Sequence, residues 1–127
     1  MNFSISGRTA IVTGAGEGLG LAIARHFAEA GANVVFAGDD EAALQAAVAE
    51  FGSGEEGSPV RAVVTDVRSK LSLANLVSST LDAFDRIDIL VNAAREVAEG
   101  APLDPEADWV GPMLEANLIS ALRLSQM

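Results

Sequence analysis

Two rhythms of apolar residues alternate along the chain. Short apolar and β-branched runs at 8–13, 33–37, 60–65 and 87–92 have too few polar positions for half-exposed strands. They read as strands covered on both faces. Between them, apolar residues recur at helical spacing. Residues 18–30 carry Leu19, Ile23, Ala24 and Phe27. Residues 40–51 carry Leu44, Ala47, Val48 and Phe51, and residues 69–84 carry Leu73, Leu76, Val77, Leu81 and Phe84. Each spacing predicts a helix with one buried face. Gly31 stands where a helix C-cap belongs, and Asp40 ahead of Glu41 where an N-cap belongs. Residues 52–59 read as a loop, as do residues 93–105. A short turn is predicted from Asp104, with Pro105 at its first helical position. Trp109 is placed at the junction where Gly111-Pro112 interrupts the pattern, and a helix carrying Leu114, Leu118, Leu122 and Leu124 is predicted to follow.

Strands alternating with helices predict an α/β fold. Right-handed crossovers between fully apolar strands build half of a doubly wound parallel sheet of Rossmann type. No internal repeat or low-complexity tract interrupts the pattern, so one domain over residues 1–127 is expected.

Composition narrows the function. Eighteen acidic side chains against 8 basic ones give a formal net charge of −10. That balance argues against nucleic acid, whose phosphates require clustered Lys and Arg. There is no Cys, which removes disulfides and thiolate metal sites, and no metal is expected. No run approaches the roughly 18–20 apolar residues of a membrane span, so no membrane partner is expected. The start lacks the charged and apolar regions of a signal peptide, and a cytoplasmic setting is expected.

The sharpest local signal is Thr13-Gly14-Ala15-Gly16-Glu17-Gly18-Leu19-Gly20. It leaves a predicted strand and opens a predicted helix. Glycines allow a tight turn and let backbone approach a pyrophosphate, while amides at the helix start face the anion. A purely structural glycine turn is the competing reading. A receiver-type domain shares the alternating layout and has Asp66 after strand three, but it needs an acidic pair where strand one here ends in glycines.

At these residues the chain resembles the short-chain dehydrogenase/reductase family. Gly14, Gly18 and Gly20 have the spacing of its cofactor motif. Asp66-Val67 matches the pair it places against adenine. Asn92-Ala93-Ala94 matches most of its Asn-Asn-Ala-Gly segment, and Asn117 stands where it has a catalytic Asn. The resemblance implies strand order 3-2-1-4, hydride transfer between a nicotinamide and an alcohol or carbonyl, and a cofactor site of Gly14, Gly16, Glu17, Gly18, Leu19, Gly20, Asp39, Asp66, Val67, Asn92, Ala93 and Ala94. Gly38 occupies the usual NAD-selecting Asp position, and Asp39 follows it. Glu17 and Asp39 fill the two positions where a basic side chain would assist a 2′-phosphate. Their carboxylates repel one, so NAD is predicted over NADP.

The family's Ser, Tyr and Lys have no counterpart here. The chain has no Tyr, Lys70 is its only Lys, and that Lys sits at a helix start. The 127 residues alone are therefore predicted to bind a dinucleotide without turnover. His26, mid-helix, reads as a structural or surface residue. Arg95 in place of the family's Gly, and Ala93 in place of its second Asn, alter the nicotinamide half. By analogy with the family, the chain supplies the first four strands of a larger sheet. Strand four and the last helix would then be covered by self-association or by a further segment or partner. A non-catalytic NAD-binding module acting through a partner is the alternative reading.

Overall fold

The computed structural model describes residues 5–52 and 57–93. The elements along them are β1 (Thr9–Thr13), α1 (Gly18–Glu29), β2 (Asn33–Gly38), α2 (Glu41–Ala49), β3 (Val60–Val64), α3 (Lys70–Phe84) and β4 (Ile89–Asn92). The strands form one parallel sheet in the order β3-β2-β1-β4. The predicted alternation and strand order are both present.

The two faces of the sheet explain why the strand runs are apolar throughout. Successive side chains point to opposite faces. Val12, Val34, Phe36 and Val60 meet Ala24 of α1 and Leu44 and Val48 of α2 on one side. Ile11, Val35 and Ala37 meet Leu73 and Leu76 of α3 on the other. Phe36, Leu44, Leu73 and Leu76 are fully buried. Each such side chain contributes roughly 1.5–3 kcal/mol by leaving water.

The helix ends follow local chemistry. At the end of α1, Gly31 takes a φ of +91°. Its N–H donates to Ala28 O at 3.1 Å, and Ala32 N–H donates to Phe27 O at 3.1 Å. These two bonds form the closure that a left-handed glycine allows. Asp40 caps α2 by accepting from Ala43 N–H at 3.1 Å. Ser69 caps α3 by accepting from Ser72 N–H at 3.2 Å.

Several boundaries and faces differ from the sequence reading. β4 starts at Ile89, not at residue 87. The ladder is replaced there by Asp88, whose N–H donates to Thr9 O at 2.9 Å and whose Oδ2 accepts from Thr9 N–H at 2.9 Å. α2 ends at Ala49. Phe51 lies just beyond it and still joins the core, its ring 6.4 Å from that of Phe36. Leu81 of α3 is exposed, and the buried position on that turn is Thr80, which donates to Leu76 O at 2.8 Å. Leu19 is also exposed, because it lies in the first turn of α1, beside the glycine turn and off the sheet. Readings placed on residues 94–127 fall outside the described residues, among them Ala94, Arg95, Asp104, Trp109, the final helix and Asn117.

Candidate functional site

Parallel strands bring all their C-terminal ends to one edge of the sheet. In the register, Thr13 stands beside Ala37 and Asn92, and Gly38 beside Val64. Gly14, Asp39, Asp66 and Asn92 therefore lie along that one edge. The chain moves outward from β1 to β2 and β3, then returns to β4 on the other side of β1. The crevice beyond β1 and β4 is thus the switch point where open α/β sheets bind ligands. Thr13 spans it, donating from Oγ1 to Val91 O at 3.3 Å.

The glycine turn is built around close backbone contacts. Gly14 and Gly18 have φ of +67° and +59°, the left-handed region that glycine enters without strain. A Cβ at Gly20 would overlap the Gly14 carbonyl, so the start of α1 can lie directly on the turn only with glycine there. Ala15 N–H donates to Ala37 O at 3.0 Å, tying the turn to β2. A Cβ at Gly16 would lie 3.3 Å from Ala43 Cβ, so α2 confines the turn from the far side.

The N-terminus of α1 differs from the other two described helices. Glu17 stands at its cap position in an extended conformation, and no side chain caps it. Its exposed carboxylate bonds to none of the first-turn amides. Amides left in this state at a helix start favour an anion.

Asp39 follows β2 and is exposed, as is Asp40, but only Asp40 is committed to the helix cap. Thr65 N–H donates to Gly38 O at 2.7 Å, which fixes the ends of β2 and β3 together. Asp66 follows directly. Its N–H donates to Ser72 Oγ at 2.9 Å, and its Oδ1 accepts from Arg68 N–H at 2.9 Å and Nε at 3.4 Å. Val67 packs into the α3 side of the core. Asn92 is exposed at the end of β4, and Ala93 follows it half-buried. His26 is exposed on α1, away from this edge. The sequence reading did not include Arg68, Ser69 and Ser72 in the site. The Ser-x-x-Ser spacing just after Asp66 was the available signal.

A shallow hollow of about 400 Å³ lies elsewhere, on the outer flank of α3 between Ala74, Val77, Ser78, Leu81 and Asp82. It touches none of the residues at the C-terminal edge of the sheet. Among the described residues, no group of three or more His, Cys, Asp or Glu could hold a metal. No described helix is long and apolar enough to cross a membrane.

The strand order and a glycine turn at the switch point define a Rossmann-type α/β protein. Residues 8–127 match the family model for short chain dehydrogenases. The chain belongs to that family, the short-chain dehydrogenases/reductases. The dehydrogenase subunit BbsD of Thauera aromatica is 42% identical over 106 residues, covering 83% of this chain and 42% of the relative. A short-chain dehydrogenase/reductase from Burkholderia phymatum, solved in complex with NAD, superposes with a TM-score of 0.87 at 31% identity. That match covers 98% of this chain and 44% of the solved one. A 3-ketoacyl-(acyl-carrier-protein) reductase from Brucella melitensis, complexed with NADH, gives 0.83 at 28% identity, covering 97% of this chain and 49% of the other. The chain spans less than half the length of these relatives.

Proposed function

We propose that the chain binds a nicotinamide dinucleotide, NAD in preference to NADP, along the C-terminal edge of the sheet. The observation that carries this reading is the glycine turn at the switch point. A Cβ would fill the space at Gly20, and the amides opening α1 have no side-chain cap. The turn of Gly14, Gly16, Gly18 and Gly20, with Leu19 exposed beside it, would hold the pyrophosphate. Asp39 would accept a hydrogen bond from the adenosine 2′-hydroxyl. Glu17 and Asp39 would together repel a 2′-phosphate. Asp66 and Val67 would meet the adenine, and Asn92, Ala93 and Ala94 would flank the nicotinamide half. Relatives solved with NAD and NADH support the same ligand class.

In the whole protein we assign an oxidoreductase of this family, acting on an alcohol or carbonyl. The dinucleotide supplies or accepts the hydride when bound. Of the family's catalytic groups, Asn117 alone has a counterpart in this chain, where it would support the proton relay. General acid–base assistance is typically worth 10²–10⁴-fold, and without a Tyr these 127 residues have no phenol to provide it. The chain by itself is therefore a binding unit without turnover. A second reading is a non-catalytic dinucleotide module working through a partner. Either way, self-association or a further segment would cover β4 and the helix that the sequence predicts after it.

Calorimetric titration with NAD and NADP at equal ionic strength tests the reading. NAD should bind more tightly, and Asp39→Ala should narrow the difference several-fold. Tighter binding of NADP by the unaltered chain would refute the preference, and ordinary turnover of an alcohol by the purified chain would refute the inactivity.

A further inference from the structure

We propose that Arg68 is a positioning residue that sets the Asp66 carboxylate as an acceptor for an amino group on the dinucleotide's base. This inference rests on the dinucleotide reading above and goes beyond it by assigning a role to a residue outside the family motif. Asp66 is solvent-facing, with 54% of its side chain exposed, yet its backbone and one carboxylate oxygen are both bonded. Its N–H donates to Ser72 Oγ at 2.9 Å, and its carbonyl accepts from Ser69 N–H at 3.0 Å. Its carboxylate accepts from the Arg68 N–H at 2.9 Å and from the Arg68 guanidinium Nε at 3.4 Å.

Among the described residues, both bonds to the carboxylate end on Oδ1. Oδ2 would then be the oxygen offered to a ligand. The backbone bond to Oδ1 already resists rotation about the Cβ–Cγ bond, but a single donor on an exposed carboxylate restrains it weakly. A second donor on the same oxygen, the guanidinium Nε at 3.4 Å, adds to that restraint and biases the direction of Oδ2. As an exposed ion pair, the contact adds little to stability. Its consequence is instead an oriented acceptor. Adenine presents an exocyclic amine to such an oxygen, whereas hypoxanthine presents a carbonyl, which an acceptor rejects.

The test compares NAD with nicotinamide hypoxanthine dinucleotide by calorimetric titration of the 127-residue chain and its Arg68→Ala, Asp66→Ala and double variants. The unaltered chain should favour NAD by roughly tenfold, the scale of one hydrogen bond gained against one acceptor left unpaired. Arg68→Ala should cut that ratio about threefold with the thermal midpoint unchanged. It should have no further effect on the ratio in the Asp66→Ala background, because coupled residues are not additive. A ratio unchanged by Arg68→Ala would overturn the proposal. So would equal weakening of both dinucleotides in both backgrounds, which would make Arg68 a direct contact. Failure of the folded, unaltered chain to bind either dinucleotide would instead overturn the reading of the site.

Discussion

Gly20 shows how one side chain's absence positions a whole site. Its lack of a Cβ lets the first turn of α1 rest on the Gly14 carbonyl. Gly20→Ala should lower stability by about 1–3 kcal/mol, the usual cost of forcing atoms into a packed space, as read from the urea midpoint. A second prediction concerns Asp85, the one described non-glycine residue with positive φ, at +62° after α3. Asp85→Gly should raise stability by about 0.5–1 kcal/mol, because glycine enters that region without the Cβ clash. Asp88 gives a prediction in pH. The Arg86 guanidinium at 2.7 Å, then Thr9 N–H at 2.9 Å, hold its carboxyl below the ordinary aspartate range. A lowered folded-state value stabilises the protein above the unfolded value, near pH 4, and that contribution fades as pH falls through the folded one. The stability gap between the unaltered chain and Asp88→Asn should therefore be open at pH 7 and shrink below pH 4. A gap that stays constant to pH 2 would contradict the assignment.

At the scale of elements, the legible features were those with a local physical cause. Strand existence followed from unbroken apolar runs, and the start of α2 from Asp40, whose oxygen can satisfy a first-turn amide; the Ser69 cap of α3 emerged only with the structure. Boundaries that depend on a distant partner were not legible. Asp88 delays the start of the predicted fourth strand by bonding to Thr9, 79 positions away in sequence. Leu19 and Leu81 fit the helical period yet face out, since periodicity says nothing about where a neighbour sits. The edge strand β3 carries a protective device of the same hidden kind. Arg61 folds back to donate to Ser58 O at 2.7 Å and Val60 O at 2.8 Å, with its guanidinium 5.3 Å from the Phe84 ring centre. It occupies carbonyls that would otherwise offer an open edge to another strand. Arg61→Ala should promote concentration-dependent association in sedimentation velocity. An unchanged sedimentation profile would argue that the edge needs no such cover.

For the molecule as a whole, fold and family were readable because strand alternation and the glycine spacing reinforce each other in chain order. The candidate site was readable as a set of residues on one sheet edge. Its supporting contacts were not, because the bonds from Arg68 and Ser72 to Asp66 depend on how the chain turns into α3. On the proposed dinucleotide reading, the acidic balance also takes on a local meaning, because the carboxylates of Glu17 and Asp39 would repel a 2′-phosphate. The central claim is that a nicotinamide dinucleotide lies across the C-terminal edge of this sheet. Backbone amide NMR shifts of the chain titrated with NAD test it most directly. The account predicts saturable shifts at Gly14–Gly20, Asp39, Asp66 and Asn92, with Arg86 and Asp88 at the opposite edge unmoved. Saturation without any shift at the glycine turn, or no saturable shift anywhere in the folded chain, would contradict it.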